Sequence, residues 1–254
     1  MNDETATRPA AGPRRPHGPR QVALRPYVQP YRSPEAVAAA RSRAGEPVRT
    51  FHPRQGRVSG RHLDALARLM PVHGRTVAQL PPGPLRPVDL FGRPLPMVLE
   101  IGSGMGEATA AMAAADPTRG YLAVEVHLPG VANLLSLIEA GGSDNVVVAV
   151  GDALTLVGAH LAEESLDAVH VFFPDPWPKA RHSKRRLIQP AHVALLRSRL
   201  VPGGLLHCAT DSAAYAEEML AALSADPWLG NVHDGPAPRP GYRPLTRFER
   251  RGER

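Results

Sequence analysis

The sequence MVLEIGSGMG at residues 97–106 places a short, mostly apolar run directly before three closely spaced glycines. An Ala-rich helical pattern follows at 106–115. Strand, glycine turn and helix in this order are typical of the first unit of a doubly wound sheet. Gly102 and Gly104 are candidate cofactor-binding residues, because glycines let the backbone approach a ligand where the carboxyl ends of strands open a crevice. The G-x-G-x-G spacing also fits a tight turn without a ligand.

Apolar runs, helical patterns and short turns alternate along the rest of the chain. This alternation predicts an α/β fold, a doubly wound Rossmann-like sheet with helices on both faces. The predicted strands are 97–101, 121–126, 145–150, 167–173 and 204–209. The predicted helices are 106–115, 128–140, 190–200 and 212–224, with a short one after Ala153. Ahead of the sheet, Ser59 is expected to cap a short helix through Met70. Pro71 and residues 81–96 are expected to form a linker.

Composition narrows the class of protein. The 254 residues are 43% hydrophobic and 21% charged, which excludes collagen-like and wholly unfolded chains. The longest apolar stretches, 145–150 and 166–173, are far shorter than the roughly 20 residues of a membrane span, so no membrane association is expected. Cys208 is the only cysteine, which excludes an internal disulfide and favours a reducing compartment. Without the apolar core of a secretory signal, a cytoplasmic location is expected.

Positive charge is concentrated near the N-terminus. The net charge is +6, and residues 1–60 carry 11 Arg against 4 acidic residues. Residues 1–45 are rich in Pro, Arg, Ala and Gly without apolar periodicity, which predicts a flexible basic arm. Residues 46–254 are expected to form the catalytic domain. The arm suggests a polyanionic partner. The 11 histidines lack metal-ligand spacing, so no metal is predicted.

Acidic residues end or follow three of the predicted strands. Glu125 ends the second strand 19 residues after Gly106, where an acid can accept hydrogen bonds from a ribose diol. Asp152 follows the third strand, where an adenine amino group could be recognised. Glu100 precedes the glycine turn; it is either a buried acid that caps a loop or faces a sulfonium or ammonium group. Without Lys or Arg near the glycines, S-adenosylmethionine fits better than a dinucleotide, which disfavours an NAD-dependent oxidoreductase.

The loop after the fourth strand has the sequence FFPDPWPK at residues 172–179. Three prolines restrict a loop that carries an acid, an aromatic ring and a lysine. Five basic residues fall within the eight positions 179–186, where phosphate contacts would position a nucleic acid. A Pro-rich structural loop and a solvated basic face are the alternatives. Together with the acids at the strand ends, which favour S-adenosylmethionine, this basic run indicates a nucleic-acid methyltransferase from the residues alone.

The sequence resembles the bacterial tRNA (guanine-N7-)-methyltransferase family over about residues 49–254. The similar motifs are LEIGSGMGEAT, AVEV, GDA, FFPDPWPKARHSKRR, ATDSAAYAEEM and TRFERRG. The resemblance implies methyl transfer from S-adenosylmethionine to N7 of a guanosine in tRNA, expected at position 46 in the variable loop. It therefore supplies the base, the reacting atom and the RNA class, which the residues alone leave open.

The resemblance also implies roles for individual residues. It implies cofactor contacts at Glu100, Glu125, Asp152 and Asp175, with Asp175 also the catalytic residue. It implies substrate-binding positions at Lys179, Asp211, Thr246, Arg247, Phe248 and Glu249. It implies RNA contacts at Arg181, Lys184, Arg185 and Arg186. Asp211 also fits a helix N-cap.

Two further interpretations stay open beside this one. A non-catalytic RNA-binding module could retain the methyltransferase fold, although the four acidic positions argue against it. A methyltransferase acting on another RNA nitrogen would carry an Asn/Asp-Pro-Pro-aromatic loop after the fourth strand, and 175–178 is not such a loop. The expected partner is tRNA, and the protein is expected to be a monomer or homodimer without an obligatory protein partner.

Overall fold

The computed structural model describes residues 48–52, 58–246 and 249. The strands are β1 (Gly74–Thr76), β2 (Met97–Ile101), β3 (Gly120–Glu125), β4 (Val146–Val150), β5 (Leu166–Phe172) and β6 (Leu200–Ala209). The helices are α1 (Gly60–His73), α2 (Pro87–Phe91), α3 (Glu107–Ala115), α4 (Leu128–Gly141), α5 (Ala153–His160), α6 (Pro190–Arg199) and α7 (Ala213–Ser224). Short 3-10 helices cover Val77–Gln79 and Ala180–Arg185.

The strands form one parallel sheet in the order β1-β4-β3-β2-β5-β6. Successive residues of a strand point to opposite faces, and both faces are apolar, as a sheet covered on both sides requires. In β2, Val98 packs with α1, α3 and α4, whereas Leu99 packs with α5, α6 and α7. The doubly wound α/β prediction is confirmed.

The predicted strands and helices from β2 to α7 are all present, and most of their ends lie within one residue of the prediction. The exception is β6, which begins four residues early. Leu166 pairs with Leu200 and Ala168 with Leu205, so residues 201–204 form an irregularity inside the strand. The strand therefore begins before Gly203 and Gly204, and these glycines interrupt its pairing with β5.

The segment before β2 departs from the prediction. Ser59 caps α1 as expected, since its Oγ accepts the His62 N–H at 3.3 Å. However, α1 continues through Pro71 to His73. A proline in the last turn removes one backbone hydrogen bond, and burial of residues such as Leu66 against the sheet outweighs that loss. The expected linker also contains α2 and is preceded by the three-residue strand β1, which is too short to show a pattern.

The strand order reverses at β2, which has β3 on one side and β5 on the other. A crevice opens at such a point, outside the carboxyl ends of the strands. The fold therefore puts the glycine turn after β2, the end of β3 and the loop after β5 next to one another. Among the described residues, the helices are too short or too polar to cross a bilayer.

Candidate active site

A cleft of about 350 Å³ lies at the carboxyl ends of β2, β3, β4 and β5. It is the crevice that the reversal of strand order predicts. The lining residues from these strand ends include Gly102, Gly104, Glu125, Gly151, Phe173 and Asp175. The structure therefore brings together the glycine turn, the candidate ribose acid and the candidate catalytic acid.

The glycine turn needs its glycines for two different reasons. Gly104 has φ +58°, a left-handed conformation that side chains rarely adopt, and it lines the cleft. Gly106 has φ +79°, and a Cβ atom there would lie 2.5 Å from the Cβ of Leu134 on α4. The first glycine lets backbone face the cleft, and the second lets α3 and α4 pack closely behind it.

The carboxylate of Glu125 is fixed in the cleft by backbone hydrogen bonds. Its Oε2 accepts the Gly104 N–H at 2.7 Å, and its Oε1 accepts the N–H groups of Val126 at 2.6 Å and His127 at 2.8 Å. Only 8% of the residue is exposed. Three backbone donors therefore fix the carboxylate at the end of β3, within the cleft where the sequence pattern predicts a ribose.

Asp152 is the residue before α5 and directly follows the lining residue Gly151. Its Oδ1 accepts both the N–H and the hydroxyl of Thr155, at 2.8 and 2.9 Å. The side chain is thus the N-cap of α5, and it orients one carboxylate oxygen through local contacts. Asp152 borders the cleft without lining it.

Glu100 lies on the sheet face that packs against α3, and it is 3% exposed. Its Oε2 accepts the Thr109 hydroxyl at 2.7 Å. Burial raises the pKa of Glu100 to about 7, an effect that the Thr109 hydrogen bond opposes and nearby Glu125 increases. The carboxyl is directed to α3 and does not line the cleft, so the structure favours the buried-acid alternative over a group facing a cation.

The loop after β5 carries Asp175 and Trp177. Phe173 and Trp177 have φ values of +52° and +45°, which are strained for residues other than glycine. Asp175 lines the cleft, and its side chain is 29% exposed. Trp177 is 3% exposed, so its buried aromatic ring anchors the loop to the rest of the domain. The loop conformation is imposed by its surroundings.

Arg186 supplies much of that support, whereas the resemblance implies an RNA contact at this position. Its Nε donates to the Pro176 carbonyl at 2.8 Å, and its Nη2 donates to the Trp177 carbonyl at 3.2 Å. Its Nη1 pairs with Glu218 of α7. Because the residue is 8% exposed and its guanidinium is engaged by the loop, it fastens the loop instead of facing solvent.

The other basic residues of the run differ from Arg186. Lys179, Arg181 and Lys184 are exposed, whereas Arg185 is half-buried with its guanidinium carbon 4.9 Å from the ring centre of Trp177. Most of them lie on the 3-10 helix Ala180–Arg185, directly after the loop. Together these four residues form a positively charged, mostly exposed rim that directly follows the Asp175 loop in sequence.

A segment before α1 also reaches the cleft, and the sequence patterns do not predict this. Thr50, Phe51 and His52 line the cleft. The backbone N–H of His52 donates to Asp175 Oδ2 at 3.0 Å, across 123 positions of sequence. The only signal was Phe51 within a basic stretch at 49–57, of which residues 53–57 lie outside the described part.

The segment 246–249, a candidate for substrate binding, is partly described; Arg247 and Phe248 lie outside the described residues. Glu249 Oε2 accepts the N–H and hydroxyl of Thr246 at 2.9 and 3.0 Å, and Oε1 accepts Arg243 Nη2 at 2.6 Å. Burial opposes ionisation of Glu249, but the hydrogen bonds from Arg243 and Thr246 prevail and lower its pKa. The guanidinium carbon of Arg243 lies 5.3 Å from the ring centre of Phe172, which brings this segment beside the end of β5.

Asp211 follows β6 and is exposed. Ser212 rather than Asp211 caps α7, since its Oγ accepts the Tyr215 N–H at 3.4 Å. The capping alternative for Asp211 is thus filled by its neighbour, and the residue does not line the cleft.

The polar groups that line the cleft indicate which ligands it suits. Its described lining residues include the acids Glu125 and Asp175 and no Lys or Arg. A site of this kind suits a ligand with hydroxyl donors and positive charge better than a diphosphate. In the part of the chain that the structure describes, no three His, Cys, Asp or Glu side chains are grouped to hold a metal ion.

Comparison with known proteins gives consistent results. The family described as "Putative methyltransferase" matches residues 94–254. The tRNA (guanine-N(7)-)-methyltransferase of Streptomyces avermitilis is 53% identical over 207 residues, covering 81% of this chain and 70% of that protein. The protein of the same description from Dechloromonas aromatica is 48% identical over 232 residues, covering 90% and 92% of the two chains.

Proposed function

The chain belongs to the family of tRNA (guanine-N(7)-)-methyltransferases, and we propose that its reaction takes place in the cleft beside Asp175. The protein transfers a methyl group from S-adenosylmethionine to N7 of a guanosine in tRNA. One observation carries the assignment of the site. Asp175 lines the same cleft as the glycine turn and Glu125, so an acid lies where the methyl donor and a base would meet.

S-adenosylmethionine fits the groups present in the cleft. When bound, it supplies an electrophilic methyl group on a sulfonium centre. The backbone at Gly102 and Gly104 allows close approach, and Glu125 accepts hydrogen bonds from the ribose hydroxyls. Asp152 accepts a hydrogen bond from the adenine amino group. Glu100 makes no direct contact with the cofactor in this proposal, because its buried carboxyl accepts the Thr109 hydroxyl.

Asp175 acts on guanine by orientation and electrostatics. N7 of guanine has a lone pair and no proton, so its methylation needs no general base and leaves a cationic ring. Asp175 accepts hydrogen bonds from N–H groups of guanine, which aligns N7 and favours the positive charge that develops on the ring. Alignment of reacting groups can be worth about 7–11 kcal/mol of the barrier.

The surroundings of the cleft suit a tRNA. The rim of Lys179, Arg181, Lys184 and Arg185 contacts phosphates and so positions the RNA without reading its sequence. The segment carrying Thr246 and Glu249 contributes to the substrate side, and Asp211 joins it at the end of β6. Arg247 and Phe248 belong to the same proposal. We take guanosine 46 of the variable loop as the target, as the family resemblance implies.

The basic arm at 1–45 adds non-specific affinity for tRNA in this proposal. Its residues lie outside the described part of the chain, and the sequence supports the proposal through the excess of Arg over acidic residues. Removal of residues 1–45 is expected to weaken tRNA binding and reduce its salt dependence. An unchanged affinity and salt slope would leave the arm without a role in binding.

We take the catalytic unit to be a single chain, as a monomer or homodimer, without an obligatory protein partner. The substrate and the single cysteine favour a cytoplasmic location.

The experiment on the target uses two transcripts of one tRNA, with guanosine or adenosine at position 46. Each is incubated with the protein and methyl-labelled S-adenosylmethionine, and the nucleosides are separated by mass spectrometry. Labelled 7-methylguanosine from the guanosine transcript alone supports position 46. Equal label from both transcripts would move the target to another guanosine, and label on another nucleoside would favour a different RNA nitrogen.

A further inference from the structure

The segment Thr50–His52 is attached to the Asp175 loop by its backbone and by a side chain. Trp177 Nε1 donates to the Thr50 carbonyl at 3.2 Å. The imidazole of His52 stacks on the indole of Trp177, with ring centroids 3.7 Å apart and planes inclined by 14°. Because Trp177 is buried and held by its loop, this stack fixes the plane of the His52 ring.

The fixed ring directs a nitrogen at Asp175. His52 Nδ1 lies 2.9 Å from Asp175 Oδ2, the oxygen that also accepts the His52 backbone N–H at 3.0 Å. An ionised carboxylate only accepts hydrogen bonds, so Nδ1 carries the hydrogen and donates it. Asp175 thus has one carboxylate oxygen held by two donors from the same residue.

We propose that His52 is a positioning residue for methyl transfer, which holds the carboxylate of Asp175 in the orientation that faces the base. This inference rests on the role proposed above for Asp175. The Asp175 side chain is 29% exposed, and loss of alignment at a reacting centre is costly even when every group is still present. His52 acts through Asp175 and transfers no proton itself.

A purely structural role explains the arrangement less well. The His52 side chain is 48% exposed, so its burial contributes little to the core. Replacing the side chain leaves the Trp177–Thr50 hydrogen bond and the His52 backbone N–H in place. The imidazole is therefore dispensable for attaching the segment, and what it adds is a donor aimed at Asp175.

The experiment compares His52→Phe, His52→Ala and the control His233→Ala. Phenylalanine keeps an aromatic ring for the stack on Trp177 but has no donor. We expect kcat to fall about tenfold in both His52 variants, as for loss of a hydrogen bond to a charged group. The KM for tRNA, the affinity for S-adenosylmethionine and the melting temperature should stay near the native values. His233 lies in an exposed loop, and its replacement should leave kcat unchanged.

A double-mutant cycle with Asp175→Asn tests whether His52 acts through Asp175. We expect His52→Phe to cost little further kcat once Asp175 is changed. A multiplicative loss, or native kcat in both His52 variants while Asp175→Asn is impaired, would overturn the inference and leave the proposed function intact. Native turnover in Asp175→Asn would instead remove the proposed role of Asp175, and the positioning role with it.

Discussion

Glu125 accepts the amide N–H of Gly104 at 2.7 Å, so the acid that ends β3 holds the glycine turn that follows β2. Its other carboxylate oxygen accepts the N–H groups of Val126 and His127. The residue proposed to contact the ribose is therefore also the acceptor that shapes the turn around the ligand. Cofactor affinity and local stability are coupled at this position.

Replacement of Glu125 by Ala should affect both properties. Three backbone N–H groups would lose their acceptor, which is expected to cost about 1–3 kcal/mol of unfolding free energy. Affinity for S-adenosylmethionine should fall at least about tenfold, since the ribose hydroxyls would also lose a charged acceptor. Urea denaturation and isothermal titration calorimetry measure the two effects. The exposed Glu217→Ala on α7 is the matched control, and native affinity in Glu125→Ala would contradict the assignment.

Glu100 predicts a pH dependence of stability. Burial raises its pKa to about 7 from the ordinary 4.5, so between these values the folded protein keeps a proton that the unfolded chain has released. The contribution of Glu100 to the unfolding free energy therefore falls as pH rises from about 4.5 to 7.

The variant Glu100→Gln removes that titration. Relative to it, the native protein should lose on the order of 3 kcal/mol of unfolding free energy across this range. Burial lowers the pKa of His170 to about 3 and of His207 to about 4, which gives the opposite trend, but both proteins contain these residues. Denaturation curves at pH 5, 6 and 7 measure the difference. Parallel pH profiles of the two proteins would show that Glu100 does not titrate in this range.

Arg186 should behave as a structural residue. Arg186→Ala leaves the Pro176 and Trp177 carbonyls and Glu218 without their donor, and should lower the unfolding free energy by about 2–4 kcal/mol. Arg186→Lys should recover only part of this, because an ammonium lacks the fork that reaches both carbonyls. The exposed Arg181→Ala should stay within about 0.5 kcal/mol of native. Equal unfolding free energies for Arg186→Ala and Arg181→Ala would contradict the structural role of Arg186.

The exposed rim should govern tRNA affinity and its salt dependence. In Arg181→Ala/Lys184→Ala, tRNA binding should weaken while affinity for S-adenosylmethionine is unchanged. The slope of log affinity against log salt should fall by about 1 for each phosphate that the variant no longer neutralises. Arg93→Ala/Arg119→Ala is a charge-matched control. These residues precede the amino ends of β2 and β3, whereas the cleft lies at the carboxyl ends of the strands. Equal weakening in both double variants would indicate a general charge effect rather than a binding surface.

The sheet was predictable because its signals are local. The apolar run and glycines at 97–106 define a strand and a turn without reference to the rest of the chain, and a parallel sheet then brings the strand ends together. By contrast, β1 has three residues and no period, and α1 passes through Pro71 because packing against the sheet outweighs one missing hydrogen bond.

The site was predictable in part for the same reason. Glu125 and Asp175 lie at or just beyond strand ends, so topology alone brings them to one cleft. The hydrogen bond between His52 and Asp175 joins residues 123 positions apart, and no periodicity near His52 indicates it. Nor does a run of basic residues show which member turns inward. Arg186 does so because the carbonyls of the Asp175 loop need donors there.

We propose that Asp175 is required for the methyl transfer to guanine N7 in this cleft. The measurement is incubation of unmodified tRNA with methyl-labelled S-adenosylmethionine and either the native protein or Asp175→Asn, followed by nucleoside mass spectrometry and calorimetry of cofactor binding. We expect labelled 7-methylguanosine with the native protein, and a much lower yield with the variant while cofactor affinity changes far less. A native yield of 7-methylguanosine from Asp175→Asn would contradict this role of Asp175.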